Sequence, residues 1–325
     1  MDTTAYLAER RRHSANNLSL LSTKVARIPE LKRFSRFSIY VTGSYGRLEA
    51  STRSDLDLFF ILDDSRRAKA RKIDKLTKTL IDASLIKIIE QMGLPEFSNE
   101  GQYLEIHPLS EIVESLGGPE DDYRNHFTAR MLLLLESRPI YNPNAYFEII
   151  EAIVQAYYRD YHGHEKNFRP IFLVNDILRF WKTMCLNYEN KRNISSNDQL
   201  TKAKHHLRNL KLKFSRLMTC FSTVIPLCTS KYAKPPRILQ LIRMAPIQRL
   251  HAVCAADERN KKILDRILGN YAWFLQNTSR PDILDWMGKH ANRDIAFSRA
   301  RTFGFDIYDL LTKTGHKEIL RYLVV

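Results

Sequence analysis

The apolar positions of the chain change their period once. Between residues 37 and 62 they fall in two short, nearly unbroken runs, Phe37-Ser38-Ile39-Tyr40-Val41 and Asp57-Leu58-Phe59-Phe60-Ile61-Leu62. Runs this short and rich in β-branched and aromatic residues read as buried strands. Gln102-Tyr103-Leu104-Glu105-Ile106 predicts a third strand. Around them, residues 3–28 and 66–92 carry a helical period, with Ile73, Leu76, Leu80, Ile81 and Leu85 near a 3.6-residue repeat. After Pro139 the strand signals fade, and 145–160, 171–188, 201–224, 236–256 and 258–276 all read as helices. The pattern predicts a domain of mixed strands and helices over 1–140 and an all-helical domain over 141–325. No internal repeat or low-complexity linker separates them.

Charge divides the chain at the same place. The formal net charge is +15, from 51 Lys and Arg against 36 Asp and Glu. Residues 1–140 hold 21 basic and 20 acidic side chains, so the other 30 and 16 give residues 141–325 a net +14. The stretch 199–250 has eleven basic residues and no acid. A basic domain joined to a balanced one implies an anionic partner for the second half. The longest plain apolar run, Leu132 to Leu135, is far too short to span a bilayer. Residues 1–12 have no apolar stretch ahead of their arginines, so a secretory leader is not expected. Cys185, Cys220, Cys228 and Cys254 form no CxxC pair, which predicts reduced thiols and a cytoplasmic setting. His162-Gly163-His164 and His205-His206 do not complete a zinc ligand set with them.

The chemistry lies in Val41-Thr42-Gly43-Ser44-Tyr45-Gly46-Arg47 and, ten residues on, Ser54-Asp55-Leu56-Asp57-Leu58. A strand ending in Gly-Ser leaves bare backbone N–H groups and a hydroxyl, donors that suit a phosphate. Asp55 and Asp57 alternate with Leu56 and Leu58, so two carboxylates project from one side of a hydrophobic strand. Like charges that close require something positive between them. Hard divalent cations, together with nucleotide phosphates, meet that need.

Gly43-Ser44 and Asp55-Leu56-Asp57-Leu58 resemble the signature of the DNA polymerase β-like nucleotidyltransferase superfamily. The fuller run is most similar to the branch that contains the bacterial uridylyltransferases of the PII signal protein. The strong similarity covers residues 38–64, and a weaker one reaches about 141 through Leu104-Glu105-Ile106-His107 and Ala129 to Arg138. The further domains of the PII-modifying enzymes are not expected here, so their substrate is not carried over. The resemblance implies an α+β fold: a polymerase β-like palm, a mixed sheet with helices, followed by the all-helical domain. It implies a cytoplasmic, ATP-binding or otherwise nucleotide-binding transferase with two Mg²⁺ or Mn²⁺ ions held by Asp55, Asp57 and a third carboxylate. Glu105 is the candidate, with Glu100 and Glu111 as fallbacks. Gly43, Ser44 and Arg47 would cradle the triphosphate of a nucleoside triphosphate, with Lys182 and then Arg179 reaching its terminal phosphates.

Within the second half, Val174, Ile177, Leu178, Trp181, Met184 and Cys185 predict one buried helical stripe, and Leu207, Leu210, Phe214, Leu217 and Phe221 another. On the second helix, Lys204, Arg208 and Lys211 share a face and Lys213 and Arg216 add to a different one, with no acid interspersed. This predicts an anion-binding or nucleic-acid-binding surface. Phe214, Phe221 and Tyr232 are read mainly as core and secondarily as base-stacking groups. The leading expectation is nucleotidyl transfer to a nucleotide or nucleic-acid hydroxyl, including synthesis of an oligonucleotide signal in bacterial defence. A protein side chain or a small molecule as acceptor is the first alternative. A non-catalytic nucleic-acid or nucleotide-binding module is the second.

Overall fold

The computed structural model describes residues 2–65, 72–97, 101, 104–193, 198–229 and 234–322. It divides into two compact units: Leu7–Ala156, and Tyr157–Val325 with Met1–Tyr6.

The first unit is built on a four-stranded mixed sheet, β1 (Phe37–Val41), β2 (Leu58–Leu62), β3 (Ile106–Pro108) and β4 (Arg138–Tyr141), in the order β3-β2-β1-β4. β1 pairs antiparallel with both β2 and β4, and β2 pairs parallel with β3. Both central strands are buried along their whole length, which is why they read as continuous apolar runs. One face buries Ile39, Val41, Leu58, Phe60 and Leu62 against α1 (Thr3–Val25) and α3 (Lys75–Gln91). Each such side chain contributes about 1.5–3 kcal/mol relative to exposure. α2 (Gly43–Gly46) is a single turn between β1 and the loop to β2. α4 (Leu109–Glu114), α5 (Pro119–Tyr123) and α6 (His126–Glu136) follow β3.

β4 goes beyond the sequence expectation. No strand was expected at Pro139, but β4 is an edge strand, where a residue without an N–H is tolerated. The third strand is Ile106–Pro108 rather than 102–106, and Gln102 and Tyr103 lie outside the described residues. The first unit also runs past residue 140. α7 (Pro143–Tyr157) starts with Tyr146 against Tyr40 of the sheet, ring centroids 6.1 Å apart, so this helix completes the palm.

The second unit holds α8 (Ile171–Asn193), α9 (Gln199–Lys211), a π-helical turn (Leu212–Arg216), α10 (Leu217–Leu227), α11 (Pro235–Ile242) and α12 (Pro246–Cys254). α13 (Glu258–Thr278), α14 (Ile283–Gly288), α15 (His290–Thr314) and α16 (Lys317–Tyr322) complete it. The expected helix 236–256 is broken at Pro246. The π-turn winds in one extra residue and so shifts the apolar phase. Leu210, Phe214 and Met218 are fully buried, while Leu207, Leu217 and Phe221 are only half-buried. Phe214 stacks on Phe274 with centroids 4.8 Å apart, which makes it core. On α8 the buried set is Leu173, Val174, Asp176, Ile177 and Phe180. The expected stripe thins beyond it, leaving Leu178, Trp181, Met184 and Cys185 half-buried.

All four cysteines are free thiols. Burial pushes Cys228 up to about 12 and, with nearby Asp257 and Asp265, Cys254 up to about 11, so neither is a ready thiolate. No helix of the described residues is long and apolar enough to cross a membrane.

Candidate active site

The site forms where β1 and β2 end side by side. The β1–β2 ladder runs one rung past both strands, the Thr42 N–H donating to the Asp57 carbonyl at 3.0 Å. Leu56 and Leu58 are buried in the same core, while Asp55 is exposed and Asp57 half-buried. This alternation puts the two carboxylates on the side of the segment away from the core.

Gly43 opens the turn beside them, with φ +65°, a left-handed conformation that costs a side-chain-bearing residue about 1–2 kcal/mol. A Cβ at Gly43 would lie 3.0 Å from Asp57 Oδ2. The missing side chain therefore leaves open space directly against one of the two carboxylates. Half-buried Ser44 follows in the same turn, and its carbonyl accepts the Glu49 N–H at 2.8 Å.

Gly46 is needed for packing within the protein. A Cβ there would fall 1.9 Å from the Glu136 carbonyl oxygen, so this glycine lets the turn pack against the end of α6 rather than against a ligand. Arg47 is likewise turned into the protein. It is 7% exposed and donates to Glu49 at 2.8 Å and to Glu136 at 2.5 Å. Capping α2 turns its side chain back under the turn, where two buried carboxylates neutralise it. The expected triphosphate contact from Arg47 is therefore corrected to an internal ion pair that fixes the turn. Glu136 and Glu49 were missed by sequence reasoning. The available signal was Glu136 itself, an acid closing the Leu132–Leu135 run.

The ten-residue gap is held down along its length. Ala50 N–H donates to Ser14 Oγ of α1 at 2.9 Å, and Ser51 N–H to Ser54 Oγ at 2.9 Å. Leu48, at φ +61°, is the strained residue of this loop.

Glu105 is exposed and directly precedes β3. In the parallel register Phe60 lies opposite Ile106, which sets Glu105 beside Phe59. Leu104 is buried with Leu58 and Phe60, so Glu105 faces the other way, as Asp57 does. The stacking of His107 on Phe59, centroids 6.2 Å apart, marks the same face. Sharing a face is not convergence: among the described residues no three His, Cys, Asp or Glu side chains come together as a metal site. Glu111 is engaged elsewhere, 3.3 Å from His126 Nε2 and 3.4 Å from Arg124. Glu100 lies outside the described residues.

A family model for the nucleotidyltransferase domain matches residues 28–197, more than half of the chain. The chain belongs to the nucleotidyltransferase domain family. No curated protein matches it. The matched segment contains the Gly43-Ser44 turn, Asp55 and Asp57, and it runs on through α8 of the second unit.

The remaining expected residues lie in that second unit. Arg179 is half-buried and donates at 3.2 Å to Asp176 of its own helix, which also accepts from Tyr157 Oη at 2.6 Å, so the arginine is paired within α8. Lys182 is exposed one turn further on. Lys204, Arg208, Lys211 and Lys213 are exposed and Arg216 is half-buried. Arg249, another of the eleven basic residues of 199–250, is buried and bonded to the Leu241 and Ile242 carbonyls and to Thr223 Oγ1. Tyr232 lies outside the described residues.

Proposed function

We propose that this nucleotidyltransferase moves a nucleoside monophosphate or its deoxy form from a triphosphate, such as ATP, onto a nucleotide or nucleic-acid hydroxyl. The observation that carries the reading is the Asp55–Asp57 pair beside the bare backbone of Gly43, inside the segment matched to the family. The space a Cβ would fill, together with two carboxylates on one side, fits hard cations and phosphate. Asp55 and Asp57 would hold two Mg²⁺ or Mn²⁺ ions, with Glu105, on the same face, as the third carboxylate that the resemblance implies. When bound, the ions supply Lewis-acid neutralisation of the triphosphate and of the attacking oxygen.

The chain's own residues then do the positioning. The Gly43 backbone and the Ser44 hydroxyl hold the triphosphate against the carboxylates. The Arg47–Glu136 pair keeps that turn in place. The resemblance would give the terminal phosphates to Lys182. The acceptor oxygen bonds to the α-phosphorus as the bridging bond to the β-phosphate breaks. Pyrophosphate leaves with the electron pair, and the acceptor proton passes to Glu105. Catalysis in such a site is mostly orientation and charge stabilisation. The excess of cations in the second half favours a polyanionic acceptor, including one extended into an oligonucleotide signal in bacterial defence. The Gly-Ser-Tyr-Gly-Arg and Ser-Asp-Leu-Asp-Leu runs, which resemble PII uridylyltransferases, favour a protein acceptor as the second reading. Four free cysteines suit a reducing, cytoplasmic setting.

The test is incubation of the protein with each labelled NTP and dNTP and Mg²⁺ or Mn²⁺, products being resolved by mass spectrometry. Transfer is expected in the wild type and a loss of about 10²–10³-fold in Asp55→Ala and Asp57→Ala, a size typical of removed electrostatic stabilisers. Absence of transfer under every condition, with both variants behaving as wild type, would sink the proposal.

A further inference from the structure

The second unit carries a cleft of about 490 Å³ bounded by α8, the π-turn, the start of α10 and α15. Its walls include Trp181, Lys213, Leu217, Arg301, Phe305 and Tyr308. We propose that this cleft is a base-stacking platform for single-stranded nucleic acid, the acceptor strand of the reaction. The identity of the strand as acceptor rests on the function proposed above, but the binding itself does not.

Four observations lead there. Phe305 is 69% and Tyr308 62% exposed, so two large aromatic faces stand in water three residues apart on one helix. Each forgoes much of the roughly 1.5–3 kcal/mol that burial would return. Trp181 joins them from α8, half-buried and braced edge-on by Phe221 at 6.2 Å. The cations come from two sides: Arg301 one turn before Phe305 on α15, and Lys213 from the π-turn. Gly304 keeps the floor between them open, with nothing within 4 Å of where its Cβ would be.

Aromatic faces interleaved with cations, with no carboxylate in the lining, match the chemistry of a single strand. Any base can stack on a π-face, while the phosphates meet lysine and arginine. A duplex keeps its base faces hidden and could use only the cations. An acidic peptide would use the cations but leave the aromatic faces largely without stacking partners. Charge continues beyond the cleft, because Lys204, Arg208 and Lys211 are exposed along α9, which runs straight into the π-turn. The stacking residues are thus not Phe214 and Phe221, which pack internally, but aromatics from α8 and α15. A π-turn at the rim also suits a binding site, since such turns recur at functional positions.

The test is fluorescence anisotropy with labelled 12-nucleotide single strands of U and of dT, titrated with full-length protein without nucleotide. Duplexes of the same length are run in parallel. Wild type should bind the single strands, prefer them to duplex, and show quenched tryptophan emission that is lost in Trp181→Phe. Phe305→Ala/Tyr308→Ala should weaken single-strand binding at least tenfold with little change in its salt slope. Lys213→Gln/Arg301→Gln should lower affinity and reduce the slope of log K against log salt by about 1.4, near 0.7 per phosphate contact. All four positions are exposed, and thermal melts confirm that the fold is kept. The proposal is overturned if wild type binds no strand, if single strand and duplex bind alike, or if the aromatic pair can be removed without effect. Salt-independent self-association abolished by Phe305→Ala/Tyr308→Ala would also overturn it, in favour of a second copy as the occupant. Repeating the titration on Asp55→Ala separates the two claims. Binding without transfer in the wild type leaves the platform standing and removes the proposed reaction. Transfer with binding indifferent to the aromatic pair does the reverse.

Discussion

The two compact units use charge in opposite ways. The sheet unit spends much of its charge internally. Arg47 lies between Glu49 and Glu136, and Arg130 and Asp121 are both fully buried and joined by two hydrogen bonds of 2.7 Å. The helical unit sets most of its cations outward, with Lys204, Arg208, Lys211 and Lys213 exposed along one helix and its π-turn. A net charge of +1 over 1–140 therefore does not mean an electrostatically idle domain, and +14 over 141–325 is largely a surface property. Arg249 is the exception, a cation of the basic stretch that is buried and satisfied by carbonyls. Near-neutrality here is a sign of pairing and excess a sign of display.

The sharpest way to break this contrast is to remove one partner of a buried pair. Arg130→Met leaves Asp121 charged and buried beside Ser115 and His126. A loss of about 3–5 kcal/mol in unfolding free energy is expected by urea titration, concentrated in the sheet unit. Arg130→Met/Asp121→Leu should recover a large part of it, because a well-packed apolar pair is often no worse than the ions it replaces. A double variant as unstable as the single one would mean that the pair itself, and not an orphaned charge, holds the fold.

The next largest effect concerns acid. His107 packs between Phe59 and His126, and His126 in turn lies near Glu111 and Ser115. Burial, and then the neighbouring His126, lower the His107 pKa from 6.5 to about 4. Between those values the unfolded chain binds a proton that the folded chain refuses. The stabilisation is thus fully present above about pH 6.5 and is lost as pH falls towards 4. The amount is up to about 3 kcal/mol. His107→Phe keeps a ring against Phe59 and should flatten the stability profile between pH 6.5 and 4. A profile equally steep in that variant would assign the acid limb to another group.

The smallest effect on stability is expected where the charge is displayed. Lys204→Gln, Arg208→Gln and Lys211→Gln should each change unfolding free energy by no more than about 0.5 kcal/mol. Together they should weaken heparin or single-strand binding and reduce its salt slope by about 2. Unchanged salt dependence would move the anion-binding surface off α9.

Some of this was legible in the sequence because its physics is local. Asp55 and Asp57 alternate with leucines, and that alternation alone set carboxylates and core on opposite sides. β1 and β2 were legible because burial on both faces leaves unbroken apolar runs. β4 was not, because four residues including Pro139 gain strand character only from pairing at an edge. The direction of Arg47 was not, because it depends on Glu136, distant in sequence and brought close by α6. That Glu105 faces away from Leu104 and Ile106 was legible from their alternation, but its place beside Phe59 needed the parallel register of β2 and β3. The exposure of Phe305 and Tyr308 has no signal in the sequence, although Arg301, Phe305 and Tyr308 share a helical stripe.

The π-turn at Leu212–Arg216 also bears on how this chain can change in length. A helix with one residue more than its turns require is the form an insertion takes when both flanks are already fixed. Deleting one residue there would let the segment relax to ordinary winding while both flanks keep their facing, because the extra residue is taken up within the turn itself. Leu210 before the turn and Met218 after it would go on sharing one core. At this point in the helical unit, the chain can lose a residue without turning one end against the other.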